Sequence, residues 1–199
     1  MGRPFRQQID EGILDRAAAL FARHGFEHTS VQAVADAVGL SKAGLLHHFR
    51  SKETLHQAVL AHAEGLGQRV LGQVRELPHG AARDRRAVEV LVDVALAHPG
   101  VVALLLAPVT QAGTGAGALE PGSAGAAALE AFGVDLETAD PDRAVRVVGA
   151  LGALAVLTLA AHQQDQITAW RPLVVATCLD ALGSRRPGAA LPDPDQVEA

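Results

Sequence analysis

Three observations predict an all-helical fold, with an N-terminal head of three short helices and a longer helical body. Apolar residues make up 49% of the 199 positions and aromatic residues only 3%, with no tyrosine at all. A core of Ala, Val, Leu and Gly suits closely packed helices better than a β-sandwich. Along most of the chain, apolar positions recur at three- and four-residue spacing. The segments that carry this spacing begin behind Ser, Thr or Asp and end at Gly or Pro, which is the punctuation of helices. The length holds one ordinary domain or a small head with a larger body, and the apolar share argues against global disorder.

In chain order, Gly2 to Gln8, with Arg3, Pro4 and Arg6, is a short basic arm, either a frayed terminus or a groove contact. The first helix is Ile9 to His24: Ile9, Ile13, Ala17, Leu20 and Phe21 line one side, opposite Asp10, Asp15, Arg16 and Arg23. Gly25 caps it. Thr29 and Gln32 have the spacing of a capping box, so a second helix begins near Ser30, with Val31, Val34, Ala35 and Val38 as its apolar stripe. Gly39 ends that helix, Leu40 fills the angle, and Ser41 caps a third helix, Lys42 to Phe49, which buries Leu45 and Phe49.

Ser51 caps a long helix from Lys52 towards Leu77, with Leu55, Val59, Leu66, Val70, Leu71 and Val74 on its apolar side and Pro78-His79-Gly80 as its stop. Arg83 to His98 is amphipathic, with Val88, Leu91, Val92, Ala95 and Leu96 inward, and is stopped by Pro99-Gly100. Val101 to Ala107 is a short buried helix ending at Pro108. Thr110 to Gly125, with Gly113, Gly115, Gly117, Gly122 and Gly125, is a flexible connection: it lacks the glycine spacing, the Lys-Ser/Thr pair and the preceding strand of a phosphate loop.

Ala126 to Phe132 is helical again. Asp140 caps the most apolar helix, Asp142 to His162, with Pro141 at its first position. Gly149 and Gly152 there admit a close neighbour. Thr168 caps the last helix, which takes Pro172 in its first turn and runs through Leu173, Val174, Leu179 and Leu182 to Gly183. Residues 185–199, with Pro187, Pro192 and Pro194, are a disordered tail. An all-round apolar helix needs cover on several sides, which a four-helix bundle formed with a second copy would supply.

The second and third helices with their glycine turn carry the functional signal. Burial of Leu45 and Phe49 turns Lys42, Ala43, Gly44, Leu46 and His47 outward, and a short helix with a small, basic, imidazole-bearing face suits the major groove of DNA. A two-helix hairpin of any helical protein is the plainer alternative. Residues 9 to 60 resemble the DNA-binding domain of the tetracycline-repressor (TetR) family, whose pattern is a Thr-initiated helix, a Gly turn, then S-K-G-T-L-Y-x-H-F and S-K-E. Thr29, Val34, Ala35, Gly39, Ser41, Lys42, Leu45, His48, Phe49, Ser51, Lys52 and Glu53 carry the resemblance. Leu46 stands where the family commonly has a phosphate-contacting tyrosine, and Gly44 where it often has threonine.

The resemblance implies a helix–turn–helix DNA-binding head at residues 1–50 and a ligand-binding, dimerising body at 51–184. It also implies a homodimer on a double-stranded DNA operator, released by a small-molecule effector. The residues expected at DNA are Thr29, Ser41, Lys42, Ala43, Gly44, Leu46, His47, His48 and Lys52. By position, Lys42 and His47 face the major groove and Thr29, His48 and Lys52 lie near phosphates.

Net charge is -5, but residues 1–56 carry seven Lys or Arg against six Asp or Glu, so the acidic excess lies in the body. The head is only weakly basic, and its binding to DNA should depend strongly on salt. The lone cysteine, Cys178, rules out an intramolecular disulfide, and the first ten residues lack the apolar stretch of a secretory signal; both fit the cytoplasm. The longest apolar run on a helix, Val147 to Ala161, falls short of the ~18 to 20 residues that span a bilayer, so no membrane partner is expected.

Catalytic and metal motifs give no positive signal. Glu53-x-x-His56 and Glu76-x-x-His79 match the spacing of di-iron bundles, but Pro78 breaks the second and the first has no assignable partner carboxylates. There is no GxSxG elbow, and Cys178 sits mid-way along an apolar helix. No cofactor, metal or catalytic residue is therefore expected. The alternatives to a DNA-binding regulator are a small helical metalloenzyme and a helical adaptor without DNA binding. For the effector, Leu66, Val94, Leu105, Phe132 and Leu154 are expected as apolar wall, with His62, His98, His162 and Gln163 as the few polar groups. Beyond Lys52 at its start the body contains no lysine, so the expected ligand is largely apolar and neutral or weakly ionised.

Overall fold

The structure, a computed structural model, describes residues 3–110 and 122–183, and for residues 3–8 and 108–110 the backbone alone. The described residues form helices joined by short turns, with no strand among them. The first, α1 (Arg3–His28), is helical from Arg3, so the segment read as an arm continues the helix. Gly25 breaks it at φ 77°, a conformation that glycine enters without a steric penalty.

Ser30, not Thr29, caps α2 (Val31–Ala37), accepting from the Ala33 amide at 3.0 Å. The expected capping box does not form. Thr29 is buried and donates its hydroxyl to the Gly25 carbonyl at 2.7 Å, while the Gln32 amide bonds Asp36 at 2.6 Å. Tertiary burial has taken the hydroxyl that the spacing assigned to the helix end. Gly39, at φ 71°, turns the chain into α3 (Lys42–His48), whose cap Ser41 accepts from Gly44 at 3.0 Å. Phe49 falls one residue beyond α3 and is only half-buried.

Ser51 caps α4 (Lys52–Val74) as expected, and the six apolar residues assigned to its inner side are all buried. Ile13, Ala17, Phe21, Val34, Leu45, Leu55 and Val59 make the core of the head, which Ala63, Leu66, Val101 and Ala124 extend into the body. The first half of α4 is thus packed as part of the head.

In the body, α5 (Ala81–Ala97) and α6 (Pro99–Thr110) meet at a corner of 103°. Proline is tolerated in the first turn, where no intrahelical donor is missed, so Pro99 opens α6 rather than merely ending α5. Nor does Pro108 end it; the helix runs on to Thr110, although the proline supplies no N–H to the ladder. Of the expected glycine-rich connection, residues 111–121 lie outside the described residues, as does the expected tail at 185–199. Ser123 caps α7 (Ala124–Ala131), two residues ahead of the expected start.

Asp140 and Pro141 open α8 (Pro141–Gln163) as their spacing predicts. This helix is 23 residues long and apolar enough to cross a membrane by length and composition, which revises the shorter run read from sequence. Here it serves as a core helix, burying Val147, Ala150, Leu154, Thr158 and Ala161. The last helix, α9 (Ile167–Ala181), starts behind Gln166, so Thr168 lies inside it and Pro172 sits in the second turn. The cause is the tight turn before it, in which Asp165 takes φ 53° and the Gln166 amide bonds Ala161 at 2.8 Å.

Two features tie these parts together. Arg83, buried at 9% exposure, donates to the carbonyls of Ala131 (2.8 Å), Leu77 (3.2 Å) and Glu130 (3.2 Å). Asp84 receives both terminal nitrogens of Arg143 at 2.7 and 3.0 Å, joining α5 to α8. A buried carboxylate demands such a bidentate partner. At the second feature, Gly100 lies so close to Asp15 that a Cβ there would collide with the Asp15 carbonyl, and the Asp15 carboxylate accepts from the Val101 amide at 3.0 Å. An acidic side chain of the head thereby satisfies an open amide in the first turn of a body helix.

Candidate nucleic-acid interface and ligand cavity

The candidate reading face is built on α3. Leu45 is buried at 1% exposure and anchors the helix, which leaves Lys42, Ala43 and His47 exposed and Gly44 and Leu46 part-exposed on its outer side. A Cβ at Gly44 would stand 3.3 Å from the Ser41 hydroxyl, so the glycine relieves the cap of crowding.

Three of the residues expected near phosphates are engaged within the head. Thr29, at 2% exposure, spends its hydroxyl on the Gly25 carbonyl and cannot offer it to a phosphate. Lys52 donates to the carbonyls of Phe26 (3.0 Å) and Glu27 (3.3 Å), with its ammonium 4.3 Å from the centre of the Phe26 ring. His48 Nδ1 lies 2.9 Å from Asp10, which fixes the ring between α3 and α1. These contacts hold α2, α3 and the start of α4 on α1. His56, the partner in the di-iron spacing, instead packs against Phe21 (5.1 Å between centroids) and Phe26 (4.8 Å), and burial holds its imidazole below the ordinary value. Among the described residues no group of three or more His, Cys, Asp or Glu is placed to hold a metal.

A cavity of about 340 Å³ lies between α4, α5, α6, α7 and α8. Of the expected wall, Leu66, Val94, Leu105 and Leu154 line it, and so does His98. Phe132 does not; it caps α7 and is buried in the body core. His162 is held to the Leu96 carbonyl at 2.8 Å, and Gln163 is exposed at the end of α8. His62 stands behind the wall, its ring 5.1 Å from that of His98 in an edge-on arrangement. Sequence reasoning missed Gly152, expected at a close helix contact but found in the cavity wall with open space before its Cβ position; Gly149 is likewise uncrowded. It also missed Gly67, where α7 approaches α4 so nearly that a Cβ would meet Ala127 at 2.9 Å.

Together these features define a class: an all-helical protein that carries a helix–turn–helix on a head packed against a body with an apolar cavity. Residues 13–59 match the family described as bacterial regulatory proteins, tetR family. The chain is similar to the HTH-type transcriptional repressor KstR2 of Rhodococcus jostii, 38% identical over 80 residues, which are 40% of this chain and 38% of that protein. It is also similar to the HTH-type transcriptional regulator UidR of Escherichia coli K12, 29% identical over 110 residues, 47% of this chain and 55% of that one. The chain spans only 38% and 23% of the first two curated repressors it matches. A TetR-like transcriptional regulator from Rhodococcus sp. RHA1 superposes with a TM-score of 0.53 at 21% identity, covering 93% of this chain and all of that one. At that identity the likeness concerns the fold alone.

Proposed function

We propose that the protein is a DNA-binding transcriptional regulator, a repressor released from a palindromic operator by a small, largely apolar effector. The observation that carries this reading is the exposed face of Lys42, Ala43 and His47 on a short helix anchored by Leu45 and capped by Ser41. The residues proposed at DNA are Ser41, Lys42, Ala43, Gly44, Leu46 and His47, with the amide end of α4 at Lys52 near a phosphate. Residues 1–50 are the reading head and 51–184 the sensing and dimerising body, and such a regulator works in the cytoplasm, where its DNA is. A homodimer is supported by the exposed Val145, Val148 and Val156 on α8 and Leu173 on α9, an apolar strip that a second copy would cover. Two heads fixed on one dimer need half-sites about 10 bp apart or a multiple of it.

The effector acts by binding better to the state whose heads are set apart, and it shifts the population by that difference in affinity alone. Gel-shift and footprinting with the DNA upstream of the protein's own gene test the proposal. A two-fold footprint is expected, and Lys42→Ala should weaken binding to the operator more than to unrelated DNA and so relax specificity. An isolated half-site, or no shifted complex at low salt, would overturn it.

A further inference from the structure

Among the described residues that line the cavity, His98 alone carries a polar side chain; every other one is Ala, Gly, Val or Leu. Apart from the His98 imidazole, the described wall offers no ring to stack on, and it has one place to hold a polar end. His98 sits where α5 gives way to α6, and its ring meets that of His62 edge-on, with His62 Nε2 buried and without a hydrogen-bond partner. An orphaned buried nitrogen is costly in an otherwise satisfied interior. His98, the member of the pair that lines the cavity, is the place where a ligand that brings its own acceptor would be held.

We propose that the cavity takes an unbranched aliphatic carboxylic acid, its chain along the Leu and Val wall and its carboxylate at His98. This rests on the reading of the cavity as the effector site. The size agrees: about 340 Å³ stands at the small end of ligand pockets, which run from about 300 to 1,000 Å³. So does the charge. Burial, then the neighbouring His98, hold the His62 imidazole below its ordinary value; Glu11 pushes it up, Arg69 down and Asp15 up. The free His62 is accordingly neutral at neutral pH, and a carboxylate arriving beside it supplies the counter-charge that favours its protonated form. The acid itself, with an ordinary carboxyl value of about 4.3, stays ionised throughout the range that matters. Affinity should then rise as pH falls from about 8 to about 6, the direction required when the complex holds more protons than the free partners.

The test is calorimetric titration of the full chain with decanoic acid and with decan-1-ol, in two buffers of different ionisation enthalpy so that protons are counted. The acid should bind about tenfold or more tighter than the alcohol, as a hydrogen bond to a charged group implies, and its binding should be accompanied by net proton uptake. His98→Leu should bring the ratio of acid to alcohol affinity to about one and abolish the uptake. His98→Gln, which still donates a hydrogen bond, should keep part of the preference. Equal binding of acid and alcohol by the unaltered protein would overturn the headgroup assignment and leave the cavity standing. If neither binds, the cavity reading falls with it.

Discussion

At the scale of single residues, burial decides what each side chain can do. Cys178 is fully buried, its thiol 3.5 Å from the Ala150 carbonyl, and burial pushes its pKa up to about 11. At about pH 8 only some one in a thousand of these thiols is ionised, so iodoacetamide should leave the folded protein unlabelled and react once it is unfolded. Rapid labelling of the native protein would mean the thiol is reached through an opening absent from this fold. His56 gives a pH effect. Its folded value lies below the ordinary 6.5, so below that pH the unfolded chain binds a proton that the folded chain refuses. Stability is then complete above the unfolded value and is lost as the pH drops beneath it. Melting temperature should fall between about pH 7.5 and about pH 5.5, and His56→Phe, which keeps the aromatic packing with Phe21 and Phe26, should fall less. Equal losses in the two proteins would assign the acid sensitivity elsewhere.

At the scale of elements, the contact between α1 and α6 is the second joint between head and body, beside the continuous α4. It depends on two residues of opposite kind. Gly100 removes the side chain that would strike the Asp15 carbonyl, and the Asp15 carboxylate caps the first turn of α6. Gly100→Ala should lower stability by ~1 to 3 kcal/mol through overpacking, with faster amide exchange in both helices. Asp15→Ala should cost ~0.5 to 2 kcal/mol as a lost cap, and Asp15→Asn less because its amide oxygen still accepts. Were Gly100→Ala to melt with the parent protein, the two helices could part without penalty. In the helix–turn–helix the caps at Ser41 and Ser51 were legible from spacing, because a cap is a local bond between a hydroxyl and an amide three residues on. Thr29 was misread because its hydroxyl had a better partner across the fold.

For the whole molecule, α8 is apolar on more faces than the monomer covers. Val145 is 71% exposed and Leu173 64%, while Val147 and Val174 beside them are buried. An exposed strip of this kind in a core-forming helix calls for a partner, which the proposed homodimer would supply by symmetry. Val145→Arg or Leu173→Glu should leave a monomer in sedimentation velocity and abolish operator binding, because two heads are no longer held at a fixed spacing. A stable dimer of both variants would move the interface to another face. Gly152→Arg, by contrast, should fill the cavity wall and block the effector, since Gly152 faces that space.

What the sequence determined by itself is everything that depends on neighbours in the chain. The helical spacing, the caps at Ser41, Ser51 and Asp140, and the glycine turns at Gly25, Gly39 and Gly183 all agree with the structure. The pattern of the reading head belongs here too, because its residues lie within one short stretch. The tertiary structure decided what depends on residues far apart. It took Thr29 and Lys52 inward, paired Asp84 with Arg143 and set Asp15 on the amide of Val101. It also chose, from four polar candidates of equal standing in the sequence, His98 as the one that lines the cavity. The physical reason is that periodicity says which face of a helix is buried, while only the packing of one helix on another says which of its polar groups find partners and which are left facing a space.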